Sequence, residues 1–279
     1  MANEIYTIIC IIGFQIEKSY VVKILKTCYH RGMNEHKFDG KARLYAAYRP
    51  SYASGLIDDL VEGLPKGAKV ADIGSGTGKL TELLLARGMN VFAVEPNDDM
   101  RAAAEEAFGG NALFCSVPAS AENTTLPDGK MELVTAAQAF HWFDRDAFRK
   151  ECRRILAPGG EVALIWNGYD ETSAEAISLE KILHRYCPLF KGFRGGVGLA
   201  RSFDDFFGSY ATKTYPGSVA YDRAAFIGRS LSSSYALTQS DGKYDEYIAA
   251  LNGYFDEFSK DGVLTLPLIA VCHKGRPKA

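Results

Sequence analysis

The stretch VADIGSGTGKL, residues 70–80, sets Gly74, Gly76 and Gly78 between an apolar run and a leucine-rich one. An apolar run that ends in glycines and restarts at helical spacing reads as a strand turning into a helix. Glycine there permits a tight turn and lets a ligand approach the amides at the helix N-terminus. The spacing is not the G-x-G-x-x-G/A of dinucleotide loops, because Lys79 stands where the third glycine would be. A Walker phosphate loop is also excluded, since Lys79 is followed by Leu80 rather than Ser or Thr. What remains is D-x-G-x-G-x-G, with Asp72 at the end of the strand.

The next apolar run, NVFAVEP, ends in Glu95, 21 positions beyond Gly74 (95 − 74). A carboxylate at the end of a second strand is placed to accept hydrogen bonds from two ribose hydroxyls. Each is worth about 1.5–3 kcal/mol because the acceptor is charged.

Around this pair the chain alternates. ASGLIDDLVEGL, KLTELLLARG, NDDMRAAAEEAF and DRDAFRKECRRIL have helical spacing, whereas KVADIG, NVFAVEP, ALFCSV, MELVTAAQ and EVALIWN read as strands. Such βαβα order predicts an α/β fold with a doubly wound, mostly parallel sheet and ligands at the carboxyl ends of the strands. After Asn167 the pattern loosens, and residues 168–235 read as an inserted substrate cap. YATKTYPGSVAY and VLTLPLIAVCHKG supply two more strands, seven in all, with Pro267 expected at an edge or bulge. KYDEYIAALNGYFDEFSK is expected to be a solvated cover helix.

AYRPSY (47–52), VADIGSGTGKLT (70–81), VEPNDDM (94–100), ASAE (119–122), AAQAFHWFD (136–144) and LAPGGEVALIWN (156–167) occur in this order. Together they resemble the class I S-adenosylmethionine-dependent methyltransferases, and among them the small-molecule group that includes the trans-aconitate type. The resemblance implies S-adenosyl-L-methionine as cofactor and a Rossmann-like sheet.

It also implies the site residues. Asp72, Gly74, Ser75, Gly76, Thr77 and Gly78 would hold the methionine part, and Glu95 the ribose. Pro96 and Met100 would lie beside the adenine, Ala121 and Glu122 at its edge, and Gln138 and Ala139 along the methionyl pocket. The resemblance covers roughly Lys41 to the C-terminus, with Glu132 where the family usually has Asp.

Methyl transfer from a sulfonium is an in-line displacement that chiefly requires alignment and exclusion of water. His141 is the candidate base for a hydroxyl or amine acceptor. Trp142 and Trp166 end up at the expected ligand edge, where an aromatic face can border a sulfonium or wall off water. Tyr45, Tyr48, Arg49 and Tyr52 belong to an N-terminal element that the resemblance makes a lid. Arg201, Arg229, Ser232, Ser233, Ser234 and Tyr235 are the polar candidates of the cap.

A formal net charge of −2 speaks against a nucleic-acid protein, and the resemblance implies a small-molecule substrate. A macromolecular acceptor and a non-catalytic cofactor-binding protein are the alternatives. The six cysteines show no C-x-x-C pair, so no metal is expected and the thiols fit a reducing, cytoplasmic setting. IYTIICIIGF (5–14) is too short to span a bilayer core of about 30 Å, so no membrane anchoring is expected. Residues 1–32 lie outside the resemblance and read as an extension, with the domain expected over 33–279.

Overall fold

The computed structural model describes residues 51–193, 203–233 and 235–279. The expected Tyr45–Arg49 element, Arg201 and Ser234 therefore lie outside the described residues.

In chain order the elements are α1 (Ser54–Val61), β1 (Lys69–Ile73), α2 (Lys79–Ala86), β2 (Asn90–Val94), α3 (Asp98–Phe108), β3 (Phe114–Val117) and β4 (Met131–Ala137). A 3-10 turn (Phe140–Trp142) leads into α4 (Arg145–Ile155), β5 (Leu156–Tyr169) and α5 (Ala174–Tyr186). Then come β6 (Phe207–Tyr221), α6 (Arg223–Leu231), α7 (Tyr244–Phe258) and β7 (Leu264–Pro277). The strands form one seven-stranded sheet in the order β3-β2-β1-β4-β5-β7-β6. Pairing is parallel through β5, and only β7 runs against its neighbours. The doubly wound, mostly parallel sheet read from the sequence is thus the observed fold.

Side-chain alternation divides the core in two. Ala71, Ile73, Val134, Ala136, Val162 and Leu164 point to one face, where Phe148, Cys152 and Ile155 of α4 cover them. Val70, Leu133, Ala163 and Ile165 point to the other, beneath Leu56, Ile57 and Leu60 of α1 and Leu80 and Leu84 of α2. Both faces are buried, which is why the central strands read as continuous apolar runs.

A third core lies apart from these. Leu179 and Leu183 of α5, Phe226 of α6, and Tyr247, Leu251, Tyr254 and Phe255 of α7 pack together. β6 is parallel to β5, because each is antiparallel to β7. The ends of β5 and β6 and the start of β7 therefore share the carboxyl edge, and these helices gather there. The strand expected at YATKTYPGSVAY is β6, within the span 168–235. One expectation changes: α7 buries four large side chains rather than lying as a solvated cover. The helix α6 was not read at all, although Asp222 caps it by accepting the Ala225 amide at 2.7 Å.

Pro267 is also placed differently from expectation, since β7 is interior rather than an edge strand. Its pairing with β5 ends at Leu268 opposite Tyr169, while Pro267 pairs only with Ser218 of β6. The missing N–H thus falls just beyond the end of β5, where no ladder bond is lost.

Candidate functional site

The first strand delivers the chain into the glycine loop at the carboxyl edge. The Gly74 and Ser75 amides both donate to the Val94 carbonyl, at 2.8 and 3.2 Å, which ties the loop to the end of β2. Gly74, Gly76 and Gly78 all have positive φ, at 67°, 58° and 84°. Beyond that shared strain the three differ. A Cβ on Gly74 would lie 2.6 Å from the Ala139 Cβ, and one on Gly78 would lie 2.5 Å from the Phe108 ring. Around Gly76 nothing stands within 4 Å. Two of the glycines therefore clear room for the protein's own side chains, and only at Gly76 is the Cβ position open.

A cavity at this edge is lined by Asp72, Gly74, Ser75, Gly76, Thr77, Glu95, Pro96, Met100, Ala121, Glu122, Gln138, Ala139 and Trp142, all of them sequence candidates. Gly78 does not line it: the backbone turns there into α2, which it caps from the left-handed region.

Asp72 is 1% exposed, and both its oxygens are engaged. Thr81 Oγ1 donates to Oδ2 at 2.8 Å and Thr135 Oγ1 to Oδ1 at 2.9 Å, so β1, α2 and β4 meet on one carboxylate. Burial outweighs these hydroxyls and pushes the Asp72 pKa up to about 6. Glu95 is also buried; its Oε2 accepts the Gly76 amide at 2.9 Å and its Oε1 the Asn97 amide at 2.9 Å. Desolvation raises its pKa, while the Asn97 and Gly76 amides and the charge of Arg101 oppose the shift.

After β4, Gln138 is held at φ 58°, a conformation costing roughly 1–2 kcal/mol for a residue with a side chain. Its amide donates to the Ile165 carbonyl at 2.8 Å, and its side-chain amide donates to the Asn167 carbonyl. Glu122 accepts the Asp144 amide at 3.0 Å, fixing the start of α4 to the cavity wall.

The aromatic candidates separate. Trp142 lines the cavity and is 39% exposed. His141 is exposed and lies outside the lining, its ring 4.6 Å from that of Trp142. Trp166 corrects the expectation of a ligand contact. It packs under the sheet edge, stacked 5.4 Å from Phe203 and edge-on to Phe140 at 6.2 Å, and does not line the cavity. Trp166 lies within β5, paired with Val271, and its side chain packs against the cluster on the α4 face. The cap candidates Arg229, Ser232, Ser233 and Tyr235 are also outside the lining.

Tyr52, which belongs with Tyr45, Tyr48 and Arg49 to the expected lid element, lines the cavity, as do Lys79, Asn97, Ser120 and Phe143, which the sequence does not mark as site residues. Asn97 had a legible signal: as N-cap of α3 it accepts the Met100 amide at 2.9 Å, and caps at this edge face the ligand side.

The cavity suits a polar ligand with an apolar flank. Thr77 Oγ1 is buried on its wall without a hydrogen-bond partner, the Gly76 backbone is open, and a buried carboxylate stands at Glu95. Among the described residues no three His, Cys, Asp or Glu side chains form a metal-ligand group. No described helix is long and apolar enough to cross a membrane.

Residues 71–164 match the family model described as a methyltransferase domain. The solved structure of an Anaeromyxobacter dehalogenans protein assigned as a type II methyltransferase superposes with a TM-score of 0.61 at 24% identity. It covers 82% of this chain and 98% of its own. The fold is that of the class I methyltransferases. An uncharacterized methyltransferase of Mycobacterium tuberculosis is 37% identical over 160 residues, 57% of this chain and 63% of the relative. An uncharacterized methyltransferase-like protein of Schizosaccharomyces pombe is 32% identical over 145 residues, 51% of this chain and 56% of the relative. The match thus spans less than two thirds of either relative. The methyltransferase-domain match contains the glycine loop, Glu95 and Gln138, and ends at Leu164 in β5.

Proposed function

We propose that this protein is an S-adenosylmethionine-dependent methyltransferase acting on a small-molecule acceptor. The observation that supports the reading is the Glu95–Gly76 pair, a buried carboxylate after β2 hydrogen-bonded to a glycine whose Cβ position is open, both lining the cavity. The unpartnered Thr77 hydroxyl beside it supplies a further polar contact for a ligand.

Glu95, held by the Gly76 amide, accepts the two ribose hydroxyls, and the Thr77 hydroxyl faces the methionyl part. Pro96, Met100, Ala121 and Glu122 border the adenine, while Gln138 and Ala139 form the wall along the methionyl chain. Asp72 keeps the loop in place through Thr81 and Thr135. The bound cofactor supplies an electrophilic methyl group on a sulfonium. Trp142 and Phe143 close the cavity beside Ala139 and keep water from that centre. His141, exposed beside the cavity, is left without a proton-transfer role.

The small-molecule acceptor is supported by the resemblance to the trans-aconitate group and by the helical cap over the same edge of the sheet. A net charge of −2 with no basic domain fits the same reading.

Calorimetric titration with S-adenosylmethionine, S-adenosylhomocysteine and NADH is the test. Micromolar binding of the first two and none of NADH supports the cofactor, and turnover on a metabolite panel then supports the acceptor class. Binding of none of the three would sink the reading. Tight binding without turnover on any small molecule, but with turnover on protein or RNA, would replace the acceptor.

A further inference from the structure

One residue outside the cavity lining, Asn167, bonds to two of the segments that form it. Asn167 sits at the end of β5, and its backbone carbonyl accepts the Gln138 side-chain amide. Its own side-chain amide donates to the Ser51 carbonyl at 3.0 Å, a contact between positions 116 apart in sequence. Ser51 is followed by Tyr52, and Tyr52 and Gln138 both line the cavity. The left-handed Gln138 is fixed to β5 by its backbone as well, through the Ile165 carbonyl at 2.8 Å. The N-terminal wall has no such strand pairing, because Ser51 and Tyr52 precede α1 and belong to no sheet.

We infer that Asn167 is a positioning residue: its side-chain amide seats Ser51 so that Tyr52 stands at the cavity, linked through Asn167 to Gln138. The inference rests on the cofactor reading above for what the cavity holds, but the seating itself is a property of the free protein. Chemistry selects Asn at this position. The backbone carbonyl that receives Gln138 is available from any residue, whereas a donor reaching the Ser51 carbonyl is not. Asp has the same shape and offers only acceptors, so it turns the contact into a repulsion.

The experiment compares Asn167→Asp and Asn167→Ala with the parent chain, each also combined with Tyr52→Ala. Two readouts are taken: deuterium uptake across residues 51–56 without ligand, and stopped-flow dissociation of S-adenosylhomocysteine. The expected result is faster uptake over that peptide and dissociation accelerated about threefold to tenfold, the scale of one hydrogen bond. Association should change less than dissociation. The acceleration should vanish on the Tyr52→Ala background, because Asn167 acts through Tyr52.

Unchanged uptake, or unchanged dissociation, overturns the assignment. So does an acceleration that persists in full without Tyr52, or a loss of melting temperature as the sole effect. Should the parent chain bind no S-adenosylhomocysteine, the cofactor reading fails by itself, and the uptake comparison alone decides the seating.

Discussion

Glu95 accepts the Gly76 amide at 2.9 Å, so the carboxylate expected to read a ribose also holds the glycine loop in the ligand-free fold. Its second oxygen takes the Asn97 amide at the start of α3, leaving the group spanning two helix entrances. Removing it deprives a ligand of its acceptor and leaves two amides unpaired. Glu95→Ala is expected to lower affinity for S-adenosylmethionine by about a hundredfold or more, from the loss of two charge-assisted bonds. Glu95→Gln should fall between the two, because its carbonyl can still take one amide. Titration calorimetry on the three proteins gives the ranking, and equal affinity in all of them would remove Glu95 from the site.

The loop glycines predict opposite phenotypes. Gly74→Ala adds left-handed strain and drives a methyl against Ala139 at 2.6 Å, so it should cost stability by about 2 kcal/mol or more. Gly76→Ala carries the strain alone, about 1–2 kcal/mol, because no atom stands within 4 Å of its Cβ. On a residue that lines the cavity, its methyl should weaken ligand binding more strongly than it lowers the melting point. Melts and titrations of the two variants should therefore rank in reverse order. The same ranking in both assays would mean that Gly76 does not face the ligand.

The contrast between these glycines marks how far the sequence could be read. The strand-loop-helix turn, the acid at the end of β2 and the parallel order follow from local pattern, and the structure has them where the pattern placed them. What Gly74 avoids does not follow, because Ala139 is 65 positions away (139 − 74) and only β1–β4 pairing brings it near. Trp166 was misplaced for a related reason. Strand alternation fixes which face it joins, but that the α4 face there is a cluster of Phe140, Phe203 and Phe206 depends on tertiary packing. The burial of α7 escaped notice because its partners, α5 and α6, lie on either side of a sheet strand in the chain. Asn167 carried no motif of its own, since its role is a contact across 116 positions.

Asp72 gives the fold a pH dependence of defined sign. Its pKa in the folded chain is up at about 6 against an ordinary 3.8, so the folded state binds the proton more readily than the unfolded state. The stabilisation is fully present below pH 4 and is lost as the pH rises through 6. The full shift corresponds to about 3 kcal/mol. Glu95, also raised by burial, acts in the same direction. Asp72→Asn keeps the shape and removes the ionisation, so its unfolding free energy should vary less between pH 4 and pH 7 than that of the parent chain. Denaturant titrations across this range measure the difference. Parallel curves for the two proteins would show that Asp72 does not titrate there.

The two tryptophans give a last separation, between stability and binding. Trp166 is stacked on Phe203 and touches Phe140 edge-on, with its indole N–H buried and unpartnered. Trp166→Ala should cost about 3 kcal/mol or more of stability through the cavity it leaves. Trp166→Phe should cost less, because the smaller ring also removes the orphaned donor. Trp142, 39% exposed on the rim, should behave the other way. Trp142→Ala leaves the melting point within a few degrees and weakens S-adenosylhomocysteine binding severalfold, by removing an aromatic face from the cavity. With one tryptophan at the cavity and one in the core, ligand addition should change the fluorescence of the Trp166→Phe protein and leave that of the Trp142→Phe protein nearly constant. A ligand response carried by Trp166 alone would move the site away from the 3-10 turn and toward the end of β5.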